Sequence, residues 1–61
     1  MDPLKLKRAN GFMLTCAKTE NRYDISVTGG PQLTDGELAA IDAYIGEDPD
    51  GQETLQKLRL R

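Results

Sequence analysis

Residues 12–28 read FMLTCAKTENRYDISVT, and this stretch decides the fold. Large apolar residues alternate with small or polar residues on both sides of the pair Glu20-Asn21, and a period of two is typical of β-strands. A turn at this pair, where asparagine tolerates positive φ, gives an antiparallel hairpin with its large side chains on one face. The predicted cross-strand pairs are Leu14 with Val27 and Cys16 with Ile25. Burial is therefore expected to set the register.

The opposite face of the predicted hairpin is small and nearly uncharged. Its residues are Met13, Thr15, Ala17, Asp24, Ser26 and Thr28. A two-stranded hairpin also leaves unpaired backbone N–H and C=O groups along its edges, and such an edge can accept a strand from another chain. The hairpin is therefore expected to offer an edge for protein binding.

The segment before the hairpin has two interpretations. Asp2 can cap a helix, Pro3 suits the first helical position, and Gly11 suits the residue that follows a helix end. The alternation of leucine and lysine over residues 4–7 is also typical of a strand. The helix is taken as the prediction and the strand is kept as its alternative.

Two helices are predicted after the hairpin, beyond a break at residues 29–31. Each begins at a pair of residues that matches a capping box, and Gly46 suits the end of the first helix. The predicted capping boxes are Thr34 with Glu37 and Asp50 with Glu53. The expected fold class is therefore α+β, a single small domain over residues 1–61 with the order α-β-β-α-α and the hairpin packed on helices.

The composition excludes several classes of protein. A chain of 61 residues without histidine cannot use imidazole catalysis, a Ser-His-Asp triad or a histidine-containing zinc site. Its one cysteine, Cys16, cannot form an internal disulfide and suits a reducing compartment. No leader peptide and no apolar run long enough to span a membrane is recognised, so a cytoplasmic location is expected.

No metal or cofactor is predicted. The acidic turn at residues 48–51 departs from the calcium-binding loop pattern, which requires glycine where Glu53 stands and glutamate where Arg59 stands. The pair Gly29-Gly30 lacks the lysine and the wider glycine pattern of a phosphate-binding loop. A strand break explains the two glycines better.

Charge is unevenly distributed along the chain, whose net charge is −2. Residues 34–54 contain seven acidic residues and no basic residue, whereas basic residues concentrate near both ends. Such an acidic block repels a phosphate backbone and favours a basic protein surface as the partner. The same acids also suit helix caps and a solvated helix face, and both interpretations are kept.

A short helix, a hairpin and two further helices in this order resemble the N-terminal docking domains of the TubC type, which occur on hybrid peptide and polyketide synthetase subunits. The likeness rests on the short first segment, the alternating residues 12–27 and the sequence LTDGEL at residues 33–38. Domains of that family recognise the C-terminal tail of an upstream subunit, which adds a strand to the hairpin. The resemblance implies that residues 23–28 form the receiving edge, with Lys18 and Arg22 as nearby charged groups.

These observations predict a non-catalytic protein-interaction module that binds a protein partner. The candidate partner-binding residues lie on the hairpin and in the acidic segment: Lys18, Arg22, Asp24, Ser26, Thr28, Asp42, Glu47 and Asp48. By its size and acidity the chain is also similar to small phage and mobile-element proteins that inhibit a host enzyme, anti-CRISPR proteins among them. The partner is then either a synthetase subunit or a host enzyme.

Three alternatives are kept. A nucleic-acid-binding accessory protein would use the basic residues of both ends, which are Lys5, Lys7, Arg8, Lys57, Arg59 and Arg61, although the net charge does not favour it. A small enzyme would need paired carboxylates such as Asp42 and Glu47 in a cleft, for which a core of this size leaves little room. A homodimer whose hairpins pair edge to edge is compatible with the interaction module.

Overall fold

The computed structural model describes residues 2–20 and 22–60, and these residues form an α+β fold, as predicted. The strands are β1 (Leu4–Lys7), β2 (Met13–Thr19) and β3 (Arg22–Val27), and the helices are α1 (Asp35–Ile45) and α2 (Pro49–Arg59). The chain divides into two compact units, Met1–Pro31 with the strands and Gln32–Arg61 with the helices. The single domain stays a prediction.

The described strands form one antiparallel sheet in the order β1-β2-β3. The register between β2 and β3 pairs Cys16 with Ile25, as the alternation predicted. The prediction of Leu14 opposite Val27 is confirmed as well. Glu20 follows β2 with a φ of 54°, which is the left-handed region that such a turn requires. The predicted second turn residue, Asn21, lies outside the described residues.

The first element is a strand, so the predicted helix is wrong and its alternative is right. β1 pairs with β2 through Leu4 opposite Cys16 and Leu6 opposite Leu14. Between these strands Asn10 and Gly11 have φ values of 61° and 81°, and the Phe12 N–H donates to the Ala9 carbonyl at 3.3 Å. Two central residues with positive φ are the requirement of a type I′ hairpin turn. Gly11 therefore closes a hairpin and does not end a helix.

The sheet has an apolar face and a polar face. On the apolar face Leu14 and Cys16 are fully buried and Tyr23 is almost so. The polar face is formed by the alternate residues of the three strands: Lys5, Lys7, Met13, Thr15, Ala17, Thr19, Arg22, Asp24 and Ser26. The hairpin residues predicted for this face lie on it, and Arg22 and the two lysines of β1 add charge that the prediction did not include.

Residues 28–30, directly after β3, are hydrogen-bonded to Arg8 and Met13 of the hairpin that β1 and β2 form. The Thr28 hydroxyl accepts from the Met13 N–H and donates to the Met13 carbonyl, both at 2.9 Å. The Arg8 guanidinium donates to the carbonyls of Thr28 and Gly30, at 2.7 and 2.8 Å. Gly29 has a φ of 86°, and a Cβ added to it would lie 2.7 Å from the Phe12 side chain. The C-terminal end of β3 is therefore fixed in place.

In the helical unit, α1 begins and ends as predicted. The Thr34 hydroxyl accepts from the Glu37 N–H at 3.1 Å, and the Glu37 carboxylate accepts from the Thr34 N–H at 2.9 Å. Gly46 ends α1 with a φ of 65°. Ile41 and Ile45, which lie one turn apart on the same side of α1, are buried. The capping box of α1 is therefore confirmed.

Helix α2 begins two residues earlier than predicted. Its N-cap is Asp48, whose carboxylate accepts from the Asp50 N–H at 3.1 Å, and Pro49 occupies the first helical position. The predicted capping box of Asp50 with Glu53 is wrong because proline at the first position fits the preceding aspartate as the cap. α2 contacts α1 and buries Leu55, whereas Leu60 is 86% exposed. Neither helix of the described residues is long and apolar enough to cross a membrane.

Candidate strand-accepting edge

The backbone of β3 presents hydrogen-bonding groups on the side away from β2. The Thr28 N–H donates to the carbonyl of Met13, its cross-strand neighbour, at 3.0 Å. Hydrogen-bonded and non-hydrogen-bonded pairs alternate along an antiparallel ladder, so Ser26 and Asp24 also bond to β2. Ile25 lies between Asp24 and Ser26, and Val27 lies between Ser26 and Thr28, so both direct their N–H and C=O groups outward. We refer to this row of backbone groups as the outer edge of β3, which pairs with no strand of the described residues.

The side chains on the polar face of β3 leave its outer edge electrically neutral. Arg22 and Asp24 form an exposed ion pair at 3.4 Å, and the Thr19 hydroxyl donates to Asp24 at 3.2 Å. Ser26 is exposed and uncharged. An incoming strand therefore meets one compensated charge pair and one small hydroxyl on this side.

Lys18 lies on the other face of the sheet from these residues. It is the cross-strand neighbour of Tyr23, and its Nζ lies 5.7 Å from the centre of the tyrosine ring. A cation over an aromatic face at this distance is attracted by the ring quadrupole. The structure thus brings Arg22, Asp24 and Ser26 together on the polar face and places Lys18 at the end of the apolar face. Thr28 follows β3 and holds Met13.

The outer edge of β1 differs in charge from that of β3. The Arg8 N–H donates to the Phe12 carbonyl at 2.7 Å. Because hydrogen-bonded and non-hydrogen-bonded pairs alternate, the backbone groups of Leu4 and Leu6 then bond to β2. The backbone groups of Lys5 and Lys7 point outward. Lysines on an edge strand oppose pairing with another chain. The β1 edge is therefore protected by like charge, and the β3 edge is not.

The acidic candidates belong to the helical unit, where two of them have structural roles. The Asp42 carboxylate accepts from the Gln52 side-chain amide at 2.9 Å, and the same amide donates to the Gly46 carbonyl at 2.8 Å. Asp48 caps α2, and Glu47 is exposed in the turn between the helices. Helix capping and helix pairing thus account for two of the three charges, which supports the structural interpretation of the acidic segment.

Cys16 is a core residue in this sheet. It is fully buried, and desolvation raises the pKa of its thiol above the ordinary value of 9.0. Such a thiol is a poor nucleophile because little of it is ionised at neutral pH. Within residues 2–20 and 22–60, no group of three or more cysteine, aspartate or glutamate side chains is placed to hold a metal ion.

Two of the basic residues near the chain ends, Arg8 and Lys57, interact with other groups of the protein. Arg8 is bonded to backbone carbonyls after β3, and Lys57 lies 3.7 Å from Glu53 one turn earlier in α2. Arg61, which the nucleic-acid alternative also uses, lies outside the described residues. The nucleic-acid binder and the small enzyme with Asp42 and Glu47 both stay alternatives to the predicted non-catalytic module.

The sequence reasoning missed Lys5 and Lys7 as members of the sheet. The signal that could have found them is Asn10-Gly11 between two alternating segments, because this dipeptide supplies positive φ at both centres of a tight hairpin turn. Recognising it would have identified β1, the lysines on the polar face and β3 as the less protected edge.

No protein-family model matches the sequence, and no curated protein or solved structure matches it significantly. The resemblance to docking domains of the TubC type and the similarity to phage inhibitors therefore stay predictions.

Proposed function

We propose that this chain is a non-catalytic protein-interaction module that binds an extended segment of a partner protein along the outer edge of β3. The observation that carries the proposal is the outward backbone of Ile25 and Val27 on a strand that has β2 as its neighbour within the described residues. Addition of a strand to such an edge is a recurrent mode of peptide recognition.

Charge selects β3 over β1 as the receiving strand. An incoming segment on β1 passes Lys5 and Lys7, whose charges oppose an apolar or basic strand. On β3 the charge of Arg22 is compensated by Asp24 at 3.4 Å. The neutral edge is therefore open to a wider range of partner sequences.

The sheet also limits the chemistry of the partner segment. Side chains of an added strand alternate between the two faces, so every second one lies beside half-buried Ile25 and Val27. Those positions favour apolar residues, and the positions beside Ser26 favour polar ones. Ile25 and Val27 together offer two donors and two acceptors, and each bond contributes about 0.5–1.5 kcal/mol.

Two biological settings fit this mode of binding. The partner is either another subunit of a synthetase, as for a docking domain, or a host enzyme that a phage or mobile element inhibits. The acidic residues Asp42, Glu47 and Asp48 supply a second surface that suits a basic patch on the partner. The β3 edge takes precedence because Asp42 and Asp48 already serve the helices.

The experiment blocks one backbone donor and leaves every side chain in place. Chemical synthesis supplies the chain with an N-methyl group on the Ile25 amide, which points away from β2. The matched control carries the N-methyl group on Lys5, the outward amide of the other edge. A third protein, Asp42→Asn/Glu47→Gln/Asp48→Asn, removes the acidic charge and keeps oxygen acceptors for the bonds to Gln52 and Asp50.

The four proteins, including the wild type, serve as baits for native-host lysate, and captured proteins are identified by mass spectrometry. We expect one partner that the wild type and the Lys5-methylated protein retain and the Ile25-methylated protein loses. Equal capture by the Ile25-methylated protein, with an unchanged circular dichroism spectrum, would refute binding at this edge. Loss with the neutralised protein alone would assign the partner to the acidic surface instead.

A further inference from the structure

The strand β3 is self-complementary, and its pattern identifies one occupant for its outer edge. In the alternation along β3 the outward backbone groups come from the residues that carry the apolar side chains, Ile25 and Val27. We infer that β3 pairs antiparallel with β3 of a second copy of this chain, about a two-fold axis at Ile25. The inference uses the same edge as the proposed function but does not require a foreign partner.

Three registers place the two-fold axis near the middle of the paired segment, at Asp24, Ile25 or Ser26, and the side chains distinguish them. An axis at Asp24 places this carboxylate opposite its own copy, and like charges directly opposite destabilise a sheet. An axis at Ser26 places Tyr23 opposite Gly29, which lies beyond the end of β3 and follows a different backbone path. Neither register pairs all the apolar residues.

An axis at Ile25 satisfies both faces of the sheet. On the apolar face Ile25 lies opposite its own copy and Tyr23 lies opposite Val27, an aromatic and β-branched pair of the kind that stabilises sheets. On the polar face Asp24 lies opposite Ser26, whose hydroxyl can donate to the carboxylate. The two Asp24 side chains are then diagonal neighbours, and each is compensated by its own Arg22 at 3.4 Å.

The same contacts explain why such an assembly would stop at two copies. Pairing of the β3 edges produces a six-stranded sheet with the strand order β1-β2-β3-β3-β2-β1. Its outer edges are the two β1 strands, and each presents Lys5 and Lys7. Like charge opposes further addition at these edges, so the interface is isologous and closed.

Dimerisation through β3 also has a consequence for partner binding. One edge cannot hold two strands, so a partner segment displaces the second copy. The dimer is then the resting form, and the partner binds the monomer. Partner affinity is expected to fall as protein concentration rises.

The test uses two cysteine variants that are mixed before mild oxidation. Asp24→Cys and Ser26→Cys lie opposite each other across the proposed axis, in a non-hydrogen-bonded pair whose spacing suits a disulfide. The native Cys16 is fully buried, so the wild type serves as the control for unwanted cross-linking. Mass spectrometry separates the mixed disulfide from the two homodimeric disulfides.

We expect the mixed disulfide to exceed both homodimeric disulfides together, whereas random collision makes it equal to their sum. Predominance of the Asp24→Cys or the Ser26→Cys homodimer, or the random ratio, would overturn the register. Sedimentation of the wild type and the two N-methylated proteins tests the pairing itself. We expect dimers of the wild type and the Lys5-methylated protein and a monomer of the Ile25-methylated protein.

A monomeric wild type at all concentrations would overturn the dimer. It would leave the proposed function intact if that monomer captured a partner through the β3 edge. Conversely, a dimer with the expected disulfide and no captured partner would refute the proposed function alone.

Discussion

Replacement of Gly29 by alanine should destabilise the sheet unit more than the same replacement at Gly11. Both glycines have positive φ, 86° and 81°, so alanine at either site costs about 1–2 kcal/mol of backbone strain. At Gly11 the new Cβ meets nothing within 4 Å, whereas at Gly29 it lies 2.7 Å from Cβ, Cγ and Cδ2 of Phe12. Overpacking of this kind costs a further ~1–3 kcal/mol. The expected loss is therefore about 2–5 kcal/mol at Gly29.

Thiol labelling of Cys16 measures this loss in the sheet unit alone. The thiol is fully buried, so it reacts when the sheet opens, and the labelling rate gives the free energy of opening. Gly11→Ala is the matched control, and Phe12→Ala removes two of the three overlapping atoms. We expect Phe12→Ala to cost less in the Gly29→Ala background than in the wild type. Equal losses for Gly29→Ala and Gly11→Ala would refute the close approach of Phe12.

Three further predictions concern single side chains. Gln52→Glu should destabilise the helical unit by about 1–2 kcal/mol, because it removes the donor to Asp42 and to the Gly46 carbonyl; urea denaturation checks this, with Gln56→Glu in the same helix expected to change little. Glu20→Asn should stabilise the hairpin by ~0.5–1 kcal/mol, because asparagine tolerates the φ of 54° better than glutamate, and an unchanged or lower melting temperature would contradict this. Burial raises the pKa of Cys16, so the stability that its protonated thiol contributes is fully present below pH 9.0 and is lost as pH rises from there through the raised pKa. Cys16→Ala should abolish this pH dependence of the free energy of unfolding. An equal slope of that free energy against pH in both proteins would contradict the prediction.

The hairpin of β2 and β3 was predictable because its signal is local and redundant. Alternation and burial select the same register, and Cys16 lies opposite Ile25 as expected. The start of α1 was predictable for the same reason, since Thr34 and Glu37 satisfy each other within one turn.

The strand β1 was harder to predict because its signals are ambiguous. Gly11 suits both the residue after a helix and the second centre of a type I′ turn, and proline at position 3 suits a helix start. Whether this segment forms a helix or a strand depends on its pairing with β2, which partly buries Leu4 and Leu6. That pairing is a non-local contact, which the local sequence does not reveal. The α2 cap was missed by a comparable ambiguity, because Asp48 and Asp50 are both favourable N-cap residues and Pro49 suits a turn as well as the first helical position.

The candidate edge was predictable in its location and not in its details. Residues 23–28 were expected to receive a strand, but the outward direction of the Ile25 amide depends on the bond from the Thr28 N–H to Met13. A Ser26→Pro substitution would remove an N–H that bonds to β2, so it would disrupt the pairing of β3 with β2 and would not test the outer edge. The protection of the opposite edge by Lys5 and Lys7 follows only from β1.

The most direct test of an open β3 edge is amide hydrogen exchange at single-residue resolution, measured by nuclear magnetic resonance at the lowest practicable protein concentration. The account predicts that the Ser26 amide, which bonds to β2, exchanges slowly and that the neighbouring Ile25 amide exchanges fast. Addition of a strand at higher protein concentration or by a partner should then slow exchange at Ile25. Protection of Ile25 equal to that of Ser26 in the most dilute protein would contradict the account.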